Sequence, residues 1–240
     1  MIDFHSHILP EMDDGSKSVE ESCKMLRESF LQGVSQIVAT PHFYAEENSP
    51  KKFLERRQRS FEKLKPNLDA DMPEIFLGAE VKYFEGISRA DDVGLLKTEG
   101  TDLLLVEMPF MTWNQRMVND VVELTYQRHT KVIIAHVERY FRFGAEKFLP
   151  EFYRNDILIQ ANAESFIGGK FATRKVMNML KDGRIDLLGS DCHNMGRRPP
   201  LLGDARKEIS KRIGNNMLDK LDEKAYNSLY SGEVANFPDE

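Results

Sequence analysis

The sequence predicts an α/β fold built from parallel strands. Three observations favour it: seven short apolar runs typical of buried strands, helical stretches between them, and a length of 240 residues that suits one α/β barrel. At this length the alternatives are a doubly wound sheet and a TIM-like barrel. The Gly-rich fingerprint of dinucleotide-binding folds does not follow the first run, which weakens the doubly wound alternative.

The predicted strands are apolar runs bounded by polar or turn-forming residues. They cover 2–5, 36–40, 74–81, 102–108, 131–137, 157–161 and 185–190. The first predicted helix, 18–33, ends at Gly33, and the second, 51–64, stops before Pro66. Further helices are predicted over about 116–129, 172–182, 204–212 and 223–230. Strands separated by helices imply parallel βαβ units.

Composition excludes several classes of protein. The 33 basic and 39 acidic residues give a net charge of -6, so bulk attraction to nucleic acid is not expected. The sequence shows no apolar run of membrane-spanning length, and its first residues, without a basic and then an apolar region, lead us to expect no secretory signal. Cys23 and Cys192 are too distant for a CxxC motif and are expected to be reduced thiols. We therefore expect one cytoplasmic domain over residues 1–240, without membrane insertion, and leave an oligomer open.

The six histidines are concentrated at one kind of position. Five of them lie at or just after the carboxyl ends of predicted strands, the face on which α/β barrels build their sites, whereas His129 ends a predicted helix. Three carboxylates lie at similar strand ends, and Asp14 follows in the turn after the first strand. The candidate metal ligands are His5, His7, Asp14, His42, Glu80, Glu107, His136, Asp191 and His193.

Nine donors exceed the need of one tetrahedral zinc ion. Mixed imidazole and carboxylate ligands suit Mn, Fe or Zn, and two or three ions could share bridging carboxylates. Such a cluster lowers the pKa of a bound water and stabilises an in-line displacement at phosphorus. An Asx turn that caps the first helix is the alternative role for Asp14, and it is the preferred interpretation of Asp13.

Two arginines lie close to these candidate ligands in sequence. Arg139 follows His136 by three residues, and Arg198 follows His193 by five. A guanidinium group matches the non-bridging oxygens of phosphate, so both arginines are candidate phosphate-binding residues. Arg197 is interpreted as a solvated surface residue.

The order of motifs resembles one known superfamily. H-S-H, D-D-G, T-P-H, G-A-E, A-H-V-E-R-Y and S-D-C-H-N with a following R-P resemble the PHP (polymerase and histidinol phosphatase) superfamily. From residue 1 to about 200 the chain is more similar to the bacterial capsule and exopolysaccharide tyrosine-protein phosphatases of the CpsB/YwqE type. The resemblance implies a distorted TIM-like (β/α)7 barrel of the PHP type with three divalent metal ions, Mn being the first expectation and Fe or Zn the alternatives.

The resemblance also implies roles for individual residues. It assigns one ion to His5, His7, Glu80 and Asp191, a second to Glu80, Glu107 and His136, and a third to Asp14, His42 and His193. Arg139 and Arg198 fall on the phosphate-binding arginines of the family. The implied reaction is attack of metal-bound hydroxide on the phosphorus of a phosphotyrosine protein. The expected partner is the tail of a membrane-associated bacterial tyrosine kinase in capsule or exopolysaccharide synthesis.

Three other functions compete with this one. A PHP-type phosphatase acting on histidinol phosphate or another small phosphomonoester needs the same metal centre. Cys192 and Arg198 form the C-x5-R spacing of cysteine-dependent phosphatases, although Pro199 and Pro200 remove amide donors from such a loop. A metal-stabilised binding module would need closed coordination.

Several loop and surface residues have no settled role in the sequence. Residues 43–52 and 109–116 are predicted to be exposed loops, and the aromatic residues at 43–44 and 109–113 either line the entrance or pack in the core. Arg56, Arg57 and Arg59 are predicted to form a solvated helix face that could attract an acidic tail. The acidic segment after Gly232 is expected to fray.

Overall fold

Short parallel strands form the centre of the protein in a computed structural model, which describes residues 1–127, 130–168 and 171–230. The strands are β1 Ile2–Ser6, β2 Gln36–Ala39, β3 His42–Phe43, β4 Glu74–Leu77, β5 Glu80–Lys82, β6 Leu103–Glu107, β7 Lys131–Ile134, β8 Leu158–Asn162 and β9 Leu187–Gly189. One sheet has the order β1-β2-β4 and the other β3-β5-β6-β7-β8-β9. An isolated parallel bridge between Ser6 and Cys192 joins β1 to the end of β9. The described residues therefore form an α/β fold with a curled parallel sheet.

Helices follow most strands. They are α1 Val19–Leu31, α2 Pro50–Leu64, α3 Gln115–Gln127, α4 Leu149–Arg154, α5 Phe171–Lys181, α6 Leu202–Arg212 and α7 Asn215–Tyr230. Ser18 caps α1 by accepting the Glu21 N–H at 3.2 Å, and Ser49 caps α2 with Pro50 at its first position. Across the described ranges, no helix is long and apolar enough to cross a lipid bilayer.

The predicted alternation of strands and helices is confirmed, but several elements differ. The predicted third strand, 74–81, is interrupted at Gly78, because Glu80 N–H bonds to Pro41 O at 3.0 Å and the chain changes partner from β2 to β3. The two-residue strand β3, the helix α4 and a 3-10 helix at Val137–Phe143 were not predicted. α7 begins eight residues before the predicted 223.

Parts of two predictions fall outside the described ranges. The end of the predicted helix 116–129, including His129, lies there, as does the acidic segment after Gly232. The expectation of one domain over residues 1–240 stays a prediction.

One face of the central strands changes from apolar to polar along its length. Leu103 and Leu105 alternate on β6 and are followed at the same spacing by Glu107. On β8, Leu158 is followed in the same way by Gln160 and Asn162. The leucines belong to a buried cluster that includes Ala225 and Leu229 of α7. This face is therefore core at the amino ends of the strands and carries the candidate site at their carboxyl ends.

Candidate metal centre

The first strand supplies two histidines that face each other. His5 and His7 are buried, and their Nε2 atoms are 3.2 Å apart. A Cβ atom at Gly189 would lie 2.5 Å from His5 Cβ, and one at Gly15 would lie 2.5 Å from His7 Cβ. Glycine at these two positions lets the backbone pack directly against both histidines.

Glu80 lies at the centre of the cluster. Its Oε2 is 3.3 Å from Nε2 of both His5 and His7 and 2.8 Å from His42 Nδ1. Its Oε1 is 2.9 Å from His136 Nε2. Burial opposes the charged form, but the surrounding histidines hold the pKa of Glu80 well below its ordinary value. Glu80 is therefore an anionic bridge between four histidines that come from three different segments.

His136 connects Glu80 to a second carboxylate. Its Nε2 is 3.4 Å from Oε1 of Glu107, the last residue of β6. His136 has a left-handed backbone conformation, with φ of 31°, which is strained for a residue other than glycine. Its N–H donates to Gln160 Oε1 at 2.7 Å, which supports this conformation.

A second group of donors lies at the solvent-facing edge of the cluster. Asp14 Oδ1 is 3.4 Å from His42 Nε2 and 3.3 Å from His193 Nε2. The Asp14 side chain is 65% exposed, whereas the side chain of His193 is buried. His7 also belongs to this group, so the group shares a residue with the buried part of the cluster.

Asp191 lies between the histidines and the two arginines. Its Oδ1 is 3.6 Å from His5 Nε2 and 3.5 Å from His7 Nε2. Its Oδ2 accepts hydrogen bonds from Arg139 and, at 2.6 Å, forms an ion pair with Arg198. Both arginine side chains are about one-third exposed. The two guanidinium groups therefore lie at the border between the cluster and solvent.

The donor atoms fit divalent cations. Three sets have ligand atoms within 4.8 Å of one another: His7, Asp14, His42 and His193; His5, His7 and Glu80; and His42, Glu80 and Glu107. Seven buried side-chain atoms of the described residues make no hydrogen bond, and four of them belong to candidate ligands: His42 Nδ1, Glu80 Oε2, His136 Nδ1 and His193 Nε2. Buried polar atoms of this kind are normally satisfied, and imidazole and carboxylate donors are those that Mn, Fe and Zn accept.

The structure corrects the interpretation of Asp13. The predicted Asx turn is present, since Asp13 Oδ1 accepts the Gly15 N–H at 2.9 Å. However, Oδ2 also accepts a hydrogen bond from His7 Nδ1 at 2.7 Å and from the His42 N–H at 2.9 Å. Burial opposes the charge of Asp13, but His7 lowers its pKa below the ordinary range. Asp13 therefore orients two histidines as well as closing a turn.

Two amide side chains were missed in the sequence. Gln160 Nε2 donates to Asn162 Oδ1 at 2.9 Å, and Asn162 Nδ2 donates to Asp191 Oδ2 at 2.7 Å. Both lie at the carboxyl end of β8 and share one face of it. The strand-end position that identified the histidines also applies to them, but an amide side chain is not a typical ligand of Mn, Fe or Zn.

The C-x5-R segment does not form a phosphate-binding loop. Cys192 is fully buried, and this burial raises the pKa of its thiol to about 12, so a reactive thiolate is disfavoured. Asn194 Oδ1 accepts the N–H groups of Gly196 at 3.0 Å and Arg197 at 2.7 Å. These amide donors are therefore used within the loop rather than aimed at a ligand.

The aromatic loops divide into core and border residues. Phe43 and Trp113 are buried, which corrects the prediction that 43–52 and 109–116 are exposed throughout. Tyr44 is half-buried and stacks on His42, with ring centroids 5.4 Å apart. Phe110 is partly exposed and stacks on His136 at 5.8 Å.

The prediction of a solvated arginine face on α2 is wrong for Arg57. This side chain is buried, donates to Gly78 O at 2.8 Å and pairs with Glu99. The carbonyl is accessible because the sheet is interrupted at Gly78. Arg59 is exposed as predicted.

Comparison with known proteins identifies the family. The family model for capsular polysaccharide synthesis proteins, CpsB/CapC, matches residues 1–229. The chain is 31% identical to the tyrosine-protein phosphatase CpsB of Streptococcus pneumoniae over 229 residues, covering 89% of this chain and 91% of the relative. It is 27% identical to the tyrosine-protein phosphatase YwqE of Bacillus subtilis (strain 168) over 237 residues, covering 94% and 90%.

Solved structures show the same fold. Crystal structures of YwqE from Bacillus subtilis and CpsB from Streptococcus pneumoniae, described as metal-dependent tyrosine phosphatases, include a chain that matches with a TM-score of 0.82 at 24% identity, covering 95% of this chain and 94% of that one. The phosphotriesterase homology protein from Escherichia coli matches with a TM-score of 0.54 at 9% identity, covering 95% and 98%. Family model, sequence and fold agree, and the chain belongs to the CpsB/CapC family of capsular polysaccharide synthesis proteins.

Proposed function

We propose that this protein is a metal-dependent protein-tyrosine phosphatase of capsule or exopolysaccharide synthesis. The observation that carries the proposal is the position of Asp191, one of whose oxygens faces two histidines while the other contacts Arg139 and Arg198. Two guanidinium groups beside a cluster of metal-binding donors suit a phosphate ester. The relatives named tyrosine-protein phosphatases support phosphotyrosine as the substrate.

The proposed centre holds three divalent ions. Its ligands are His5, His7, Asp14, His42, Glu80, Glu107, His136, Asp191 and His193. Mn is the first candidate, with Fe and Zn as alternatives. When bound, such ions lower the pKa of a coordinated water and offset the negative charge of phosphate.

Arg139 and Arg198 bind the non-bridging oxygens of the phosphate in this proposal. One guanidinium nitrogen of each contacts Asp191, and a guanidinium has five N–H donors, so each arginine has further donors to offer a substrate. Because these donors are held before substrate arrives, they can stabilise charge that develops in the transition state. Tyrosine leaves as a phenolate with a pKa of about 10, which lessens the need for a strong general acid.

We also propose that the curled sheet is a distorted (β/α)7 barrel. β2 with β3, and β4 with β5, each count as one bent strand, since only a few residues separate them. β4 pairs with β2 while β5 pairs with β6, and β1 meets β9 through the bridge at Ser6. Seven strand positions then close into a ring, and the candidate ligands lie at one end of it.

The proposed substrate is a phosphotyrosine protein, with the tail of a membrane-associated bacterial tyrosine kinase as the expected partner. The border of the site suits an extended segment, because Asp14 is solvent-exposed there and both arginines are partly exposed. A flexible tail can present its tyrosine to such a border without rearrangement of a folded domain.

The decisive experiment compares three substrates on one Mn-loaded preparation. We expect kcat/KM for a phosphotyrosine peptide to exceed that for a matched phosphoserine peptide and for histidinol phosphate. A preference for histidinol phosphate by orders of magnitude would assign the protein to small phosphomonoesters instead. No hydrolysis of any of the three by fully metal-loaded protein would exclude a phosphatase.

A further inference from the structure

A partly exposed aromatic ring borders the candidate metal centre. Phe110 follows Glu107 by three residues and is 44% exposed. Its ring stacks on His136, with centroids 5.8 Å apart and planes 19° apart, and on Tyr140, with centroids 5.6 Å apart. The same His136 ring contacts Glu80 and Glu107 through Nε2. An apolar surface therefore adjoins a site that is otherwise built from charged and polar groups.

The loop that carries this ring is held by buried neighbours. The Tyr140 hydroxyl accepts the Met108 N–H at 2.9 Å. Trp113 Nε1 donates to Pro109 O at 3.0 Å, and the Met111 N–H donates to the same oxygen at 2.8 Å. Tyr140 and Trp113 are buried, with ring centroids 4.9 Å apart. Since the loop is fixed in this way, a ligand would bind it without a large ordering penalty.

The aromatic ring and a phosphate-binding candidate share one support. Arg139 and Tyr140 are consecutive residues of the 3-10 helix Val137–Phe143, so the contact with Asp191 and the stack on Phe110 start from neighbouring positions. In an aryl phosphate the ring begins one oxygen atom from phosphorus. When the phosphate group of an aryl ester is bound by the arginines, the aromatic ring of that ester must lie directly beside them. An alkyl phosphate would place only a methylene group at the same position.

We propose that Phe110 binds the phenyl ring of the phosphotyrosine substrate and determines the preference for aryl over alkyl phosphate esters. This inference rests on the proposed phosphatase function and extends it by naming the residue that discriminates between substrate classes. Offset stacking and burial of apolar area both favour an aromatic ligand on an exposed phenyl ring.

The first test measures binding of two phosphonates that are not hydrolysed. Calorimetric titration of the Mn-loaded protein gives Kd for phenylphosphonate and for methylphosphonate. We expect Phe110→Ala to reduce the preference for phenylphosphonate by about tenfold. Phe110→Leu should give an intermediate loss, because it keeps apolar area and loses the stack.

Phe30, another partly exposed phenylalanine, provides a matched control. Phe30 is 40% exposed, close to the value for Phe110, and lies in the last turn of α1, shortly before the amino end of β2 at Gln36, whereas the candidate ligands lie at the carboxyl ends of the strands. Phe30→Ala should leave the ratio of the two Kd values at the wild-type level. If Phe110→Ala does not fold, Phe110→Leu carries the test.

The second test measures selectivity in turnover. The ratio of kcat/KM for a phosphotyrosine peptide to that for a phosphoserine peptide of the same sequence should fall by about tenfold in Phe110→Ala. Unchanged ratios in both tests, in folded variants with wild-type metal content, would overturn the role of Phe110 and leave the phosphatase proposal intact. If the wild-type protein hydrolyses neither peptide, the phosphatase proposal fails, and the phosphonate ratio alone decides the role of Phe110.

Discussion

The carboxylate of Asp13 fixes the proton of one histidine in the cluster. A carboxylate only accepts, so His7 Nδ1 carries a proton towards Asp13 Oδ2, 2.7 Å away, and His7 Nε2 is the nitrogen that a metal ion would bind. A buried partner of this kind orients a metal-binding histidine without touching the ion. We therefore infer that Asp13 acts on metal affinity through His7.

We predict that Asp13→Asn lowers the affinity for Mn by about 10- to 100-fold. The amide cannot supply the negative charge that favours the His7 tautomer required for binding. Titration calorimetry on chelator-treated protein measures the affinity. Asp219→Asn, an exposed position on α7, is the matched control and should bind as wild type does. Wild-type affinity in Asp13→Asn would show that the contact is only part of the turn.

The two arginines should affect turnover more than metal binding. Replacing Arg139 or Arg198 by Ala removes donors for developing charge and should reduce kcat/KM by an amount equivalent to ~2–4 kcal/mol. Steady-state kinetics with a phosphotyrosine peptide measures the loss, and elemental analysis measures the metal that is retained. Unaltered kcat/KM in both variants would remove the arginines from the proposed site.

Cys192 should be dispensable for catalysis. Because burial raises its pKa to about 12, the thiol is not expected to act as a nucleophile. Cys192→Ser should retain most activity, whereas His136→Ala should lose it. The measurement is hydrolysis of an aryl phosphate at equal metal content, and an inactive Cys192→Ser protein with full metal content would support the cysteine mechanism.

Strand ends could be predicted from the sequence because a buried strand is a run of apolar residues, and the direction of the chain shows which end of the run is the carboxyl end. Apolar runs identified the central strands, and the polar residue that ends a run, such as Glu107 on β6, marked the face of the site. Short elements such as the 3-10 helix Val137–Phe143 have no comparable pattern of apolar residues. This helix depends on tertiary contacts, including the Tyr140 hydroxyl that accepts the Met108 N–H.

Side-chain roles that depend on distant segments could not be predicted. Asp13 has a local role visible in the sequence, but its bond to the His42 N–H spans 29 residues. Arg57 belongs to a charged helix face, yet it reaches a carbonyl exposed by the interruption at Gly78. In both cases the local pattern is correct, and the contact that decides the role is made by the fold.

Gly189 on β9 packs directly against His5 of β1. A Cβ atom at Gly189 would lie 2.5 Å from His5 Cβ and 2.7 Å from Gln160 Nε2. We predict that Gly189→Ala lowers the free energy of unfolding by about 1–3 kcal/mol, because the buried atoms around the added methyl group cannot move away freely. It should also weaken Mn binding by displacing His5.

Thermal or denaturant unfolding of chelator-treated Gly189→Ala measures the first effect without contribution from the metal. Gly196→Ala is the comparison, because a Cβ there meets no atom closer than 3.5 Å, and its unfolding free energy should change by about 0.5 kcal/mol or less. Wild-type stability in Gly189→Ala would mean that β1 and β9 can separate at no cost.

At the scale of the whole molecule, the candidate ligands join distant parts of the chain. They extend from His5 on β1 to His193 after β9, and buried carboxylates such as Glu80 and Asp191 carry negative charge at the centre. Without cations this charge is balanced by the histidines and the two arginines. Bound metal would therefore hold the carboxyl ends of the strands together as well as support the reaction.

Removal of the metal should abolish activity and lower stability together. Any ligand that binds only the folded state stabilises it, by ~2.7 kcal/mol per site at a free concentration one hundred times Kd. For a domain of this size that corresponds to a fall in Tm of about 5–10 °C for each ion removed. Chelation should therefore eliminate aryl phosphate hydrolysis and lower Tm, and added Mn should restore both.

His136→Ala separates loss of metal from direct effects of the chelator. This variant lacks one of the donors beside Glu80 and Glu107, so chelation should lower its Tm by less than it lowers that of the wild type. Lower pH should weaken Mn binding in both proteins, because protons compete for the histidine nitrogens. Full activity in protein that elemental analysis shows to be free of metal would exclude the proposed mechanism, since Arg139 and Arg198 alone provide no means of activating water at neutral pH.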